Sequence, residues 1–413
     1  MEGFKKLTRI DVALKLASKE CSRVSIRGEV INIEKAPGRI LAEDIISQYD
    51  VPPYDRASMD GYAIMHEGSF SASPTNPAIF RIIGIAEAGG ARKRIGEGET
   101  VEIYTGAPMP EGADAVAAAE DCIRRGEEVH VLKPVPKFAN VSKQGEDLKK
   151  GEVVLRKGRV LRAWDIGVLA AVRIREVAVR AKVRVGVLST GKELVDISDP
   201  GSMEWTSIVD STKPMLKSLL NEVSCSVIDG GIAPDDVEEI RSRLVKLADE
   251  ADLLITIGGT SVGRKDLVPE VLRQDRASKL IFHGIAAKPG KPFGFGIFLG
   301  KPLFMLPGYP VSALVGYERV VEPVIRSLIG IPERRRRRVK AVIARRVPTT
   351  PGLRHFLRVR LEGEGERLVA VPIALTGSGL LSSIANADGI VVIGEDKEGV
   401  EEGELVEVEL LDG

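Results

Sequence analysis

The sequence predicts a multidomain protein of α/β and β class, with a central α/β domain built on a parallel sheet. Three observations carry this reading. Between Lys182 and about residue 330, continuous apolar segments alternate with amphipathic ones, the pattern of parallel strands with helices on both faces. Residues 50–136 and 339–413 hold short alternating segments, which suits a β-rich second domain and a small C-terminal β-barrel. A chain of 413 residues is also longer than one hydrophobic core ordinarily serves.

The elements follow in order. Residues 7–20 set Ile10, Val12, Ala13, Leu14 and Leu16 among charges, so this segment reads as a helix. "GRILAEDI" (38–45) reads as a turn into a strand, and the two prolines of "DVPPYDRAS" (50–58) break any element. Residues 137–180 give a turn, a strand ("EVVLRKGRVL") and a helix ("AWDIGVLAAV"). "VRVGVLST" is a buried strand. A helix around 212–222, the strand "VSCSVIDGGI", a helix from Pro234 to Glu250 and the strand "DLLITI" come next. A strand from Pro302 to Leu306 then leads into the helix "PVSALVGYERVVEPVIRSLIG". The basic run "PERRRRRVK" (332–340) reads as a solvated linker or strand start rather than a binding site.

Composition narrows the function classes. Lys plus Arg equals Asp plus Glu, at 59 each, which argues against a nucleic-acid binder that works by bulk charge. No run approaches the ~20 apolar residues of a membrane helix. The charged start "MEGFKKLTRIDVALKLASKE" does not read as a signal peptide. Cys21, Cys122 and Cys225 lie far apart without a CxxC pair, so they read as buried thiols in a reducing, cytoplasmic setting. Four histidines are too scattered for a metal site, and no Ser-His-Asp order suggests a nucleophilic triad. Many Arg, Lys, Glu and Val with few Gln and Asn point to a thermophile.

The chemistry gathers at predicted strand ends. "DLLITIGGTSVGRKD" (252–266) runs from an apolar strand into Gly258, Gly259, Thr260, Ser261 and Asp266. In a doubly wound sheet the carboxyl ends of strands face the ligand crevice. Glycines there let backbone N–H groups reach an anion, and hydroxyls add donors. Asp266 beside a bare phosphate would be repelled; it fits a Mg²⁺ bridging the two, or a water to be oriented. In "AAKPGKPF" (286–293), Lys288 and Lys291 flank a Pro-Gly turn, a stiff frame for two cations facing an oxyanion or diphosphate. "LPGYPVSA" (306–313) sets Pro307 and Pro310 between a strand and a helix start. "GVLSTGKE" (186–193) imitates a phosphate loop, but Glu193 stands where such a loop needs Ser or Thr. Glu193 therefore reads as a metal-side or water-positioning acid. "YDRASMDGYAI" (54–64) and "YTGAPMPEGADAV" (104–116) are two further dense clusters, holding Asp60 and Thr105.

Taken in order, "DVPPYDRASMDGYA", "TGAPMPEGADAV", "GEDLKKGE", "VLSTGKEL", "IGGTSVGRKD", "AKPGKPF", "LPGYPVSA" and "GSGLLSSIANADG" closely resemble the molybdopterin molybdenumtransferases. These are the MoeA-type molybdenum insertases, which include the E domain of gephyrin. The resemblance implies a split linking domain (1–49 and 137–180), a β-rich domain (50–136), an α/β domain of the molybdopterin-binding type (181–331) and a C-terminal β-barrel domain (332–413). It implies a cytoplasmic homodimer that takes adenylylated molybdopterin and molybdate or tungstate with Mg²⁺, and releases AMP. A molybdopterin adenylyltransferase and molybdoenzyme maturation proteins are the implied partners, with no nucleic acid and no membrane.

By the same resemblance the acids fall on Asp60, Glu193, Asp235 and Asp266, with Asp266 and Glu193 at the Mg²⁺ or the attacking water. Asp60 and Thr105 would come from the partner subunit. Gly258, Gly259, Ser261, Lys288, Lys291, Pro307 and Pro310 match substrate-side positions. Arg354, Arg358 and Ser378 resemble contacts to the pterin phosphate. Three positions depart from the family pattern: Tyr309 replaces an Asn, Gly284 a frequent Lys, and Thr212 the usual Asn. The alternative reading is a molybdopterin carrier or scaffold without turnover.

Overall fold

A strand buried on both faces needs apolar residues at every position, not at alternate ones. Leu253–Ile257 is such a strand: all five residues are buried. It lies inside a six-stranded sheet whose order is Cys225–Ala233, Val183–Thr190, Leu253–Ile257, Lys301–Leu306, Gly294–Phe298, Lys279–His283. This computed structural model describes residues 7–199, 204–260, 267–363, 368–373 and 377–411. The chain divides into two units, Val30–Val179 on one side and Met1–Glu29 with Arg180–Gly413 on the other.

In the larger unit the first four strands of that sheet run parallel, with Val185 opposite both Val227 and Leu253, and Leu254 opposite Leu303. The last two strands are added by antiparallel pairings, Gly294–Phe298 on Lys301–Leu306 and Lys279–His283 on Gly294–Phe298, a feature the sequence reading did not separate from the parallel pattern. Its cause is local. Leu299 (φ 47°) and Gly300 (φ 79°) form a two-residue turn with both φ positive, between Phe298 and Lys301. Such a turn returns the chain directly as a hairpin.

The Val237–Glu250 helix covers one face through Ile240, Leu244, Leu247 and Ala248, which share a core with Leu188, Leu254, Leu272 and Met305. It starts at Val237 rather than Pro234 because Asp236 is its cap, accepting the Glu239 N–H at 2.9 Å. The long helix expected after Pro310 is helical throughout but widens to a π-turn over Tyr317–Val321 before Glu322–Ile329, and Gly330 (φ 73°) ends it. The first helix, Ile10–Cys21, buries Ile10, Ala13, Ala17 and Cys21 and packs on Glu322–Ile329. Its small alanines let it lie close against that helix.

Five strands close the C-terminal barrel. Arg354–Glu362 pairs with both Val369–Pro372 and Gly389–Ile393, and Arg338–Ile343 with Leu405–Leu410 completes the ring. Ile343, Val359, Val391 and Val408 fill its interior.

The smaller unit holds a second six-stranded sheet, ordered Ala115–Ala118, Gly61–Ile64, Glu99–Ile103, Ala78–Ala86, Glu128–Val131, Cys122–Arg125. Val101 and Ile103 line one core, while Tyr62, Ile64 and Phe80 line another. Leu41, Leu155, Leu161, Leu169 and Val177 form a separate core, joining the start of this unit to its end. Among the described residues no helix is long and apolar enough to cross a membrane.

The central strand carries a direct stability test. Leu254 is fully buried, and Leu254→Ala is expected to cost about 2–5 kcal/mol, read as a lower urea midpoint with unchanged slope.

Candidate active site

From Val183–Thr190 the chain steps to Cys225–Ala233 on one side, then crosses back to Leu253–Ile257 on the other. The carboxyl ends of the first and third of these strands therefore flank a switch point, where such sheets bind ligands. A cavity of about 550 Å³ opens there. Each strand end contributes to it: Glu193 follows Thr190, Asp235 follows Ala233, Gly258 and Gly259 follow Ile257, and Pro307 and Pro310 follow Leu306.

The glycines are required on two counts. Gly258 (φ 89°) and Gly259 (φ 65°) both lie in the left-handed region. A Cβ on Gly258 would stand 2.5 Å from the Thr190 carbonyl oxygen, and one on Gly259 would stand 2.9 Å from Thr190 Oγ1. Side chains are excluded, so backbone forms that wall.

A second cavity of about 610 Å³ adjoins the first, and Pro292, Pro307 and Tyr309 line both. Lys288, Lys291, Arg358 and Ser378 come together in its lining. The lysine turn is held from two sides. Ala287 and Lys288 pair as a short strand with Arg354 and His355 of the barrel, and Arg354 N–H donates to the Ala286 carbonyl at 2.9 Å. On the other side Ile285 N–H donates to the Lys291 carbonyl at 3.0 Å. Arg358 is 5% exposed and donates to Ser383 Oγ at 3.2 Å and to the Phe356 carbonyl at 3.3 Å. The Ser378 carbonyl accepts Val311 N–H at 3.1 Å, tying the helix start at Pro310 to the last domain.

Other predicted residues fall elsewhere. Arg354 does not line the cationic cavity. Its guanidinium pairs with Glu395 at 3.0 Å, and it lines a separate cavity beside the first helix. Ser261 and Asp266 lie outside the described residues. Asp60 and Thr105 meet in the smaller unit, where Asp60 accepts from Thr105 Oγ1 at 2.7 Å and from its N–H at 2.8 Å. Those bonds hold the Asp60 carboxyl below its usual range.

Two of the three departures from the family pattern, Gly284 and Thr212, have local reasons. Gly284 has φ 96°, a conformation a lysine adopts only with strain. Thr212 Oγ1 donates to the Gly308 carbonyl at 3.0 Å, so the shorter side chain still pins the Pro307–Pro310 loop.

Sequence reasoning missed two lining residues. Asp210 is buried in the first cavity's wall, accepting from Ser189 Oγ at 2.5 Å and from Lys213 N–H at 3.0 Å. Its "VDSTKP" context was noticed only for Thr212, although a lone Asp ahead of a helix start is a capping signal. His355 lines the second cavity, and its Nε2 accepts Thr350 N–H at 3.1 Å. A single histidine inside a strand leaves no spacing pattern to read.

Burial, and next the nearby Lys288 charge, lower the His355 pKa from 6.5. The unfolded chain therefore binds the proton more readily. Stability from this residue is fully present above about pH 6.5 and is lost as pH falls through the folded-state pKa. An NMR titration of the His355 ring should give a midpoint below 6.5 in the free protein, and its return toward 6.5 when an anion fills the cavity.

Known proteins share this fold. Residues 8–172 match the MoeA N-terminal region (domain I and II), 186–327 the probable molybdopterin binding domain, and 340–411 the MoeA C-terminal region (domain IV). The molybdopterin molybdenumtransferase of Haemophilus influenzae is 34% identical over 388 residues, 92% of this chain and 93% of that protein. The enzyme of the same name from Staphylococcus aureus is 32% identical over 379 residues, 92% of this chain and 90% of that protein. The crystal structure of the molybdopterin biosynthesis MoeA protein of Pyrococcus horikoshii is similar with a TM-score of 0.85 and 37% identity, covering 99% of this chain and all of that one. With its three regions matched in order and two joined cavities at the carboxyl ends of its sheet, the chain belongs to the MoeA family of molybdopterin molybdenumtransferases, enzymes of molybdenum cofactor biosynthesis.

Proposed function

We propose that the chain inserts molybdate or tungstate into adenylylated molybdopterin, with Mg²⁺-dependent hydrolysis of the phosphoanhydride and release of AMP. The observation that supports this most is the shared wall of Pro292, Pro307 and Tyr309 between an acid-lined and a cation-lined cavity. A substrate with a phosphoanhydride at one end and a dithiolene awaiting an oxyanion at the other has use for both.

On the cationic side, Lys288, Lys291 and Arg358 offer ammonium and guanidinium donors to the incoming oxyanion. On the acid side, Asp235 takes the proton released when water attacks phosphorus. Hydrolysis forms one O–P bond from water and breaks one P–O bond of the anhydride, so the negative charge leaves on the departing phosphate oxygen. Backbone at Gly258 and Gly259 approaches the phosphates without side-chain obstruction.

Glu193, with Asp266, would hold Mg²⁺, which commonly takes one or two carboxylates and completes its shell with phosphates and water. When bound, Mg²⁺ would neutralise phosphate charge. Asp266, seven residues after Gly259 in sequence, is proposed beside Glu193.

The test is AMP release from purified protein given adenylylated molybdopterin and Mg²⁺ with molybdate, tungstate or neither. Oxyanion-dependent release is expected, reduced by about 10²-fold or more in Glu193→Gln and Asp266→Asn. Tight substrate binding without release would replace this proposal by the carrier reading.

We further propose a homodimer in which Asp60 and Thr105 of one subunit complete the crevice of the other. Mixing Asp60→Ala with Glu193→Gln subunits should then recover about a quarter of wild-type activity, through dimers with one intact site. No recovery, or a monomeric sedimentation mass, would refute the shared site.

A further inference from the structure

The arginine run at 334–338 is absorbed by neither cavity of the active site. It borders a third, of about 800 Å³, within the larger unit. The opposite wall comes from Ile10 and Leu14 of the first helix and from Glu318, Arg319, Glu322 and Arg326. Glu318 and Arg319 stand on the π-turn over Tyr317–Val321, an irregularity of the helix that recurs at functional sites.

Seven arginines line this space against five carboxylates. The three acids of the inner wall are already matched. Glu318 pairs with Arg336, Glu322 with Arg326 at 2.7 Å, and Glu409 with Arg319 at 2.7 Å and Arg338 at 2.9 Å. Asp11 is engaged by Arg9 at 3.4 Å, and Glu333 is exposed and without an ion pair among the described residues. Donors remain after that matching. Arg319 Nε and Arg336 Nη1 are both buried without a hydrogen-bond partner among the described residues. Arg335 has no ion pair among them, and Arg334 reaches only Glu222, at 3.9 Å. Buried donors without acceptors are rare and costly. An oxyanion with several acceptor oxygens is the ligand that guanidinium forks match best.

We propose that this cavity is a second anion site, separate from the active site, for a small multivalent oxyanion of the phosphate or pyrophosphate class. The site is concave and its excess donors belong to a few residues, whereas the chain as a whole has no net charge. That favours a small anion over a nucleic acid, which needs an extended basic surface. Arg319 also stacks on the Phe356 ring at 4.8 Å, and Phe356 lines the cationic cavity. One side chain thus separates the two anion sites.

The test uses inorganic pyrophosphate as probe, with binding followed by calorimetry on the full chain. A Lys288→Ala/Lys291→Ala variant first removes the competing cationic cavity. One equivalent per chain should still bind it, more weakly as salt is raised. Adding Arg334→Ala and Arg335→Ala should weaken that binding at least tenfold. Both residues are exposed, so the fold should survive, which circular dichroism checks. No binding to the lysine variant at millimolar pyrophosphate, or equal binding with and without the two arginines, would overturn the proposal and leave only a solvated ion-pair network. Neither result bears on AMP release, so this inference and the insertase reading fail separately.

Discussion

The approach of Gly258 and Gly259 to Thr190 is the constraint on which the active site rests. Two parallel strands end side by side, and the backbone after one passes so close to the end of the other that a methyl group would collide at 2.5 Å. Both glycines hold positive φ, so the turn and the contact demand the same residue. Because that wall is bare backbone, the acids must stand on the neighbouring strand ends, where Glu193 and Asp235 are found. The parallel sheet makes this possible by sending four carboxyl ends to one side.

Much of this was legible in the sequence, for physical reasons. Strands such as Leu253–Ile257 are buried on both faces and read as continuous apolar runs. The Val237–Glu250 helix has a clear apolar stripe and an acidic first turn. The glycine, lysine and proline clusters stood out because each restricts backbone or charge in a way ordinary turns do not. Three of them meet around the adjoining cavities.

What stayed hidden depends on direction and distance. An apolar strand reads the same whether its neighbour is parallel or antiparallel, so the hairpin through Leu299-Gly300 was not separated. Arg354 and Arg358 sit four apart on one strand, yet Arg354 is drawn away by Glu395, 41 residues later in the chain. His355 and Asp210 gain meaning only from what surrounds them. The basic run was read as a linker, and only the packed chain brings it against the π-turn and its buried acids.

The two-residue strand Ala287–Lys288 belongs by sequence to the α/β domain but by hydrogen bonding to the barrel. A mechanical consequence follows. Lys288 is thereby tied to the barrel, and through the Ile285–Lys291 bond to the α/β domain as well, while the Gly258–Gly259 wall belongs to the sheet alone. One strand pairing thus makes the position of Lys288 answer to the barrel as well as to the sheet domain.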